Sequence, residues 1–227
     1  MMGSGFPEEG CLRAMITKPL SILLCWLLLS LILPVAIAEE EQEGGGIGLA
    51  AQLLPADREL LAKADELVAA TMAATEKAVA DADGKAVLGE MKTLLAAARM
   101  PVGEEAKLHG AWKVRSLQAD GLGAYGYPFF DCRIFAEAKA LVFHKAKGSQ
   151  RRLGFLERDS KERFLFAGAM YFTYDPAPRS YKGVPDQPAA EDLERNCVAW
   201  LYRIAGGRLI MVFPSSDGRL EIYEMKR

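Results

Sequence analysis

The feature that most constrains this chain is a change of sequence period beyond Gly110. Apolar and polar residues there alternate with a period of two, which is typical of β-strands with one buried face. Short turns such as Gly148-Ser149, Gly206-Gly207 and Asp217-Gly218 separate most of the alternating segments, and short turns join consecutive strands as antiparallel hairpins. The pattern predicts eight strands, at 112–118, 130–136, 141–147, 152–159, 162–172, 198–204, 208–213 and 220–226.

Eight consecutive antiparallel strands favour an up-and-down β-barrel, because closure removes the exposed sheet edges. A two-sheet sandwich is the alternative. The strand at 162–172 is apolar on both faces, so something must cover its outer side. Upstream, apolar residues recur with the 3.6-residue helical period, which predicts a helical hairpin at 51–103. We therefore predict an α+β, mainly β fold in which this hairpin packs on a barrel at 110–227, within one domain at 51–227.

The N-terminal segment has the pattern of a signal peptide. Residues 21–33 are a run of 13 mostly apolar residues, whereas a transmembrane helix needs roughly 20. Arg13 and Lys18 precede the run, and Ala36-Ile37-Ala38 is a small-x-small cleavage pattern. We expect cleavage near Ala38, which makes 1–38 a signal peptide and places the mature chain in the periplasm or outside the cell. An uncleaved membrane anchor is the alternative.

Two further predictions concern the same region. Glu8 and Glu9 are unusual in a positively charged signal segment, so translation starting at Met15 instead of Met1 is a working hypothesis. Residues 39–50 are acidic and rich in glycine, with little apolar surface to bury. We expect them to form a flexible leader.

Cysteine usage follows from the predicted export. Cys11 and Cys25 lie within the signal peptide, which leaves Cys132 and Cys197 in the mature chain. Two cysteines in an exported protein most often form one disulfide, and we predict that bond. A zinc site would need further ligands, but only two histidines are present and no paired ligand spacing occurs, so no metal is expected.

The turn around Gly148 carries the most distinctive polar sequence of the predicted barrel. It places Lys145, Ser149, Gln150 and Arg151 close together, and basic side chains beside exposed turn amides can form an anion site. A tight hairpin with solvated charges is the alternative. If Lys145 faces inward it needs a buried partner, for which Glu157 is a candidate.

A second candidate region is the long proline-rich segment from Asp175 to Arg195. A loop of this length inside a compact domain is usually a lid or a binding loop, although a harmless insertion is equally compatible with it. No catalytic motif, Gly-rich phosphate loop or cofactor signature is evident, so we predict no catalytic residues and no cofactor. The near balance of 28 Lys and Arg against 30 Asp and Glu argues against nucleic-acid binding.

Several of these segments together resemble the domain of unknown function 4893 family. The resemblance rests on Gly110-x-Trp112-x-x-Arg115-Ser116-Leu117-Gln118, Tyr127-Pro128-x-Phe130-x-Cys132, Phe143-x-Lys145-x-x-Gly148-Ser149-Gln150-Arg151-x-x-Gly154, Phe166-x-Gly168, Tyr181, Arg203 and Pro214. It implies an exported, mainly alphaproteobacterial protein without an assigned activity. Arg115 and Tyr181 join the candidate binding residues on this basis.

A helix followed by Gly110-x-Trp112 on the first strand of an eight-stranded barrel is also similar to lipocalins. That lipocalin-like likeness implies that Trp112 plugs the base of the barrel. It further implies that an arginine from a late strand, Arg203 or Arg208, stacks on the indole. The likeness concerns the fold and does not establish lipid binding.

These observations favour a non-enzymatic binding or interaction barrel that takes a protein partner or a small apolar or anionic ligand. Many large aromatic residues on the strands favour a filled interior, which strengthens the case for a protein partner. One alternative is an envelope enzyme with a site between the Lys145–Arg152 turn and the Asp175–Arg195 loop. Another is a protease inhibitor that inserts the 39–50 leader. Contact with a membrane is expected only through an uncleaved signal.

Overall fold

The computed structural model describes residues 48–227, and its core is a closed eight-stranded antiparallel β-barrel. The predicted signal peptide and nearly all of the predicted leader lie outside the described residues. The helices are α1 Leu49–Gln52, α2 Pro55–Ala62, α3 Ala64–Ala78, α4 Ala82–Ala96 and α5 Ala190–Arg195. The strands are β1 Arg99–Met100, β2 Gly110–Ala119, β3 Ala124–Gly126, β4 Phe130–Glu137, β5 Ala140–Lys145, β6 Gln150–Arg158, β7 Arg163–Phe172, β8 Asn196–Ile204, β9 Leu209–Pro214 and β10 Leu220–Lys226.

The barrel runs β2-β4-β5-β6-β7-β8-β9-β10 and closes where β10 pairs with β2. All eight predicted strands are confirmed as the strands of this barrel, and their ends lie within two residues of the prediction. The two short strands outside this ring, β1 on β8 and β3 on β2, were not predicted. They are only two and three residues long, so they carry no readable alternation.

The helices are confirmed, but the chain breaks them at other places than expected. The first arm of the predicted hairpin is not one helix: it divides at Lys63, which has a non-helical ψ of 10° and separates α2 from α3. The Asp81–Gly84 segment starts α4. The Asp81 side chain caps that helix by accepting a hydrogen bond from the Gly84 N–H at 2.7 Å.

Two apolar layers cover the barrel from outside. Helices α3 and α4 pack on β2, β9 and β10 through a cluster that includes Met72, Leu88 and Met91. Strand β7 is covered by α1 and α2, because Leu165 and Ala167 on its outer face pack against Leu49, Leu53 and Leu61. The expectation that a helical element covers this doubly apolar strand is therefore confirmed, although α1 and α2 supply the cover and the α3–α4 hairpin does not.

The barrel interior is filled by its own side chains. Phe143, Phe164, Phe166, Phe213 and Tyr223 are all buried in one core cluster. The Phe166 ring meets Phe143 edge-on at 5.8 Å and Phe213 at 5.7 Å between centroids, an arrangement that aromatic pairs prefer. Within the described residues the centre of the barrel thus offers no open channel, as the abundance of aromatic residues suggested.

Candidate binding site at the upper mouth

We call the end of the barrel where β2, β7 and β9 finish the upper mouth, and the opposite end the lower mouth. The β5–β6 turn and the long β7–β8 connection both lie at the upper mouth, because β5 and β7 run toward it. A cavity of about 510 Å³ opens there. Its lining includes Gln150 and Arg152 from one predicted region and Glu194 and Arg195 from the other. The two predicted regions therefore meet at one place.

A buried ion pair lies on the inner side of this cavity. Arg152 at the start of β6 and Glu221 on β10 both point inward, and an Arg152 Nη2 lies 2.6 Å from a Glu221 carboxylate oxygen. Ser116 and Gln118 donate hydrogen bonds to the other oxygen of Glu221 at 2.5 and 3.2 Å. Burial opposes ionisation of Glu221, but the adjacent guanidinium and these donors outweigh it and lower the pKa of that carboxyl.

Aromatic rings hold the Arg152 guanidinium in place. Its central carbon lies 4.2 Å from the Phe213 ring centroid and 4.9 Å from that of Tyr223. Such cation–π contacts strengthen when the cation is desolvated, as it is here. The charge pair and the rings together fix one orientation of a planar, always-charged group beside the cavity.

Lys145 faces the barrel interior, as the alternation of β5 allows, and only 4% of it is exposed. Its ammonium donates to the carbonyl oxygens of Lys147, at 3.1 Å, and of Gln150. Burial, with the nearby Arg152 charge, lowers the pKa of Lys145 to about 8. The suggested partner Glu157 is wrong, because its carboxylate caps α1 by accepting the N–H groups of Gly48 and Leu49 at 2.8 and 2.7 Å.

The other residues of the predicted turn divide between two sides of the barrel wall. Gln150 lines the cavity, whereas Ser149 is exposed in the turn. Arg151 lies on the outer face, where its Nε donates to the Gly148 carbonyl at 3.1 Å. The geometry therefore moves the centre of the candidate site from Arg151 to its inward-facing neighbour Arg152.

The family resemblance made Arg115 and Tyr181 candidate binding residues. In the structure both make contacts that join elements of the fold. Arg115 joins β2 to α4 and β10, with ion pairs to Glu90 at 3.0 Å and Glu224 at 2.6 Å. The Tyr181 hydroxyl donates to Asp57 at 2.5 Å and accepts the Leu54 N–H at 2.9 Å. Tyr181 thereby fastens the β7–β8 connection to α2, whose Asp57 lines the cavity.

Cys132 and Cys197 are free thiols in the structure, so the predicted disulfide is not formed there. Cys132 lies on β4 and Cys197 on β8, and these strands are four apart in either direction around the barrel. The cysteines contact the filled interior from opposite walls. The prediction rested on compartment alone, which does not bring two side chains together.

The two thiols are poor nucleophiles. Burial raises the pKa of Cys132 to about 12 and that of Cys197 to about 11, although the Arg152 guanidinium acts in the opposite direction on Cys197. Cys197 lines the cavity beside Arg152. Within residues 48–227, no group of three or more His, Cys, Asp or Glu side chains is placed to hold a metal ion.

Trp112 lies at the lower mouth, buried, and its Nε1 donates to the Leu108 carbonyl at 2.9 Å. The cation over its indole is Arg227, at 4.5 Å, and not Arg203 or Arg208 as the lipocalin likeness implied. Arg208 instead pairs with Glu224 at 2.8 Å. Arg203 lines a second cavity of about 320 Å³ beside Trp112.

Sequence reasoning missed Glu221 and Arg195. Glu221 is 69 positions from Arg152, and only closure of the barrel brings β10 opposite β6. A signal for Glu221 was available, since it alternates with Tyr223 and Met225, which point into the core. Arg195 had no such signal, because it ends a short helix within an irregular connection.

Comparison with known proteins places the chain in one family. A family model described as a domain of unknown function, number 4893, matches residues 50–225, which confirms the resemblance carried by the sequence motifs. Neither the curated proteins nor the solved structures contain a match to the chain. Among residues 48–227, no helix is long and apolar enough to cross a membrane.

Proposed function

The chain belongs to the domain of unknown function 4893 family, and we propose that it is an exported, non-enzymatic binding barrel that takes a small ligand at its upper mouth. The observation that carries this proposal is the contrast between a filled interior and a cavity of about 510 Å³ at one end. Small-molecule sites are concave, and this volume lies in their usual range of roughly 300–1,000 Å³.

The lining of the cavity indicates an amphipathic ligand. Apolar surface comes from Leu60, Met170 and Phe213, and polar surface from Gln118 and the Arg152–Glu221 pair. Tyr125 and Tyr127 extend the lining outward and are partly exposed to solvent. Aromatic side chains at a cavity entrance offer large contact area at little entropic cost, which suits a ligand with an apolar body.

The ionisable groups at the site favour binding over catalysis. Glu221 is held as a carboxylate by Arg152, Ser116 and Gln118, so it has no free capacity to accept a substrate proton. Cys197 has a pKa of about 11, raised by burial, which leaves little thiolate at neutral pH. The enzyme alternative keeps its location between the turn and the connection. Lys145 in that turn, whose pKa burial lowers to about 8, donates to the carbonyls of Lys147 and Gln150 and is not among the residues that line the cavity.

Native mass spectrometry of the protein purified from the periplasm tests the proposal. We expect a mass excess from a retained small molecule, which is lost on denaturation. Met170→Trp should abolish the retention by filling the cavity, and Met100→Trp at the lower mouth is the matched control. A wild-type protein that carries no small molecule, or a Met170→Trp variant that still carries it, would contradict the proposal.

Export is tested by separating the periplasmic and membrane fractions of cells that produce the protein. Sequencing of the N-terminus should begin at Glu39 if the peptidase cleaves after Ala38. Recovery of the intact N-terminus from a membrane fraction would instead support the uncleaved anchor.

A further inference from the structure

We infer that the ligand of the upper-mouth cavity carries a carboxylate, which binds between Arg152 and Arg195. This inference rests on the proposed function and adds the chemical class of the ligand. Three features of the cavity lead to it: a buried donor of Arg152, a buried donor of Arg195, and a separation of charge, with cations in excess at the inner end and carboxylates in excess nearer the rim.

The first feature is an unused donor of Arg152. Its side chain is 9% exposed, and its Nε has no hydrogen-bond partner within residues 48–227. A buried N–H without a partner is costly, and a charged donor more so. Its neighbour Cys197 holds its proton at neutral pH because burial raises its pKa to about 11, and a protonated thiol is a weak acceptor. The Arg152 side chain also meets the Cys197 thiol and the Tyr223 hydroxyl, which are both weaker acceptors than a carboxylate, so a ligand carboxylate would be the better partner for this donor.

The second feature is a matching donor at the edge of the same cavity. Arg195, at the end of α5, lines the same cavity, and its Nη1 is likewise buried without a hydrogen-bond partner in the described part of the chain. Its guanidinium carbon lies 4.4 Å from the Phe172 ring centroid, so the group is stacked and restrained. Two restrained arginines with unused donors therefore border one cavity.

The third feature is the charge balance of the inward-facing groups. Lys145 and Arg152 are cations, and Glu221 is the carboxylate that faces them, which leaves one positive charge in excess. Nearer the rim the lining carries Asp57, Asp120 and Glu194 against Arg195 and Arg219, so the excess of positive charge is confined to the inner end of the cavity. The cationic Arg219 on the rim pairs with Asp217.

A monoanion suits this balance better than a dianion. One carboxylate would neutralise the excess charge and can accept from two arginine donors, a geometry that guanidinium groups favour. A second negative charge would instead repel Glu194 and Glu221, which line the same cavity. The apolar lining around Met170 and Phe213 would then hold the remainder of the ligand.

The test compares three probes of equal chain length: octanoate, octan-1-ol and octylamine. Binding to the purified protein, freed of any retained ligand, is measured by calorimetry and by the shift of the thermal unfolding midpoint. We expect octanoate to bind at least tenfold more tightly than octan-1-ol, and octylamine to bind more weakly than both. Arg195→Gln should remove the preference for octanoate, whereas Arg133→Gln, on the outer face of β4, should leave it unchanged.

Arg152 needs a paired variant, because Arg152→Gln alone would leave Glu221 buried without its partner. The double variant Arg152→Gln with Glu221→Gln removes both charges, and it should bind octan-1-ol normally while losing its preference for octanoate. Equal binding of octanoate and octan-1-ol to the wild-type protein would overturn the carboxylate inference and leave the proposed function standing. Failure of octanoate to bind at millimolar concentration would overturn it as well, whereas failure of the proposed function shows separately as the absence of a retained molecule.

Discussion

At the scale of single residues, the upper mouth depends on charges taken out of water. The Arg152–Glu221 pair is buried, hydrogen-bonded and stacked on aromatic rings, which are the conditions under which an internal ion pair is tolerated. Such a pair adds little net stability compared with apolar residues of similar volume. Loss of one member, however, leaves the charge of the other uncompensated. The ion pair holds the Arg152 guanidinium in one orientation, and this fixed orientation connects the pair to ligand binding.

Removing one member of this pair should destabilise the protein strongly. We expect Arg152→Gln or Glu221→Gln to lower the free energy of unfolding by about 3–5 kcal/mol, because each leaves the other charge buried alone. The double variant should lose less than the sum of the two. Urea unfolding measures the change, with Lys92→Gln in the exposed Lys92–Glu76 pair as a control expected to change little. Equal effects of the buried and exposed substitutions would contradict this interpretation.

Lys145 should make stability depend on pH above neutrality. Burial lowers its pKa from 10.5 in the unfolded chain to about 8 in the folded one. Between these values the unfolded chain binds the extra proton, so the contribution of Lys145 to stability rises with pH across that window. The difference in unfolding free energy between wild type and Lys145→Met, measured at pH 7 and 9.5, should shift in favour of wild type at the higher pH. Parallel pH profiles would contradict the lowered pKa.

The cysteines provide a direct test of the thiol state. In the folded protein at pH 7.5, Cys132 should resist alkylation and Cys197 should react slowly, because burial raises both pKa values above 10. After unfolding in urea without a reductant, both should be alkylated completely, as peptide mass spectrometry can verify. If the unfolded protein requires a reductant before labelling, the disulfide predicted from the sequence forms after all.

At the scale of elements, the sequence predicted what is local and periodic. The eight barrel strands could be predicted because each is long enough to show alternating apolar and polar residues. The burial of both faces of β7 could be predicted from its apolar residues on both faces. The division of the first helix at Lys63 was not readable, because the apolar spacing continues across it. The choice of α1 and α2 as the cover of β7 depends on tertiary packing that no local pattern encodes.

The pairing of β6 with β7 contains a contact that only glycine permits. Gly154 and Gly168 face each other across the two strands, and a Cβ on Gly168 would lie 2.4 Å from the Phe166 ring and 2.9 Å from the Gly154 Cα. Gly168→Ala should therefore lower the free energy of unfolding by about 1–3 kcal/mol or more through overpacking. Gly89→Ala on α4 is the matched control, because its Cβ would have no neighbour within 4 Å. It should be neutral or stabilising by up to about 1 kcal/mol, since alanine favours the helix. If Gly168→Ala leaves the free energy of unfolding unchanged, the close approach of these strands is contradicted.

At the scale of the whole molecule, the candidate site exists only because the barrel closes. The sequence located its two halves, the Gly148 turn and the long proline-rich connection, but it pointed to outward-facing Arg151 as a binding residue. The pair that defines the site joins β6 to β10 across the mouth, and such long-range pairings follow from closure and shear, which a linear pattern does not specify. The filled interior was foreseeable from aromatic content, whereas the position of the remaining cavity was not.

Tyr181 connects the three parts of the molecule that border the cavity: the β7–β8 connection, the N-terminal helices and, through Asp57, the cavity lining itself.

Tyr181→Phe keeps the buried ring but removes the hydroxyl that donates to Asp57 and accepts from the Leu54 N–H. An unsatisfied buried group costs about 1–3 kcal/mol, so the connection should detach more often while the barrel stays folded. Limited trypsin digestion should then cleave faster after Arg179 and Lys182 in the variant, with little change in the urea midpoint of the barrel. Tyr174→Phe, in a residue that is 74% exposed, should digest like the wild type. Equal cleavage rates for Tyr181→Phe and wild type would show that the apolar packing of the ring, and not its hydroxyl, holds the connection against the helices.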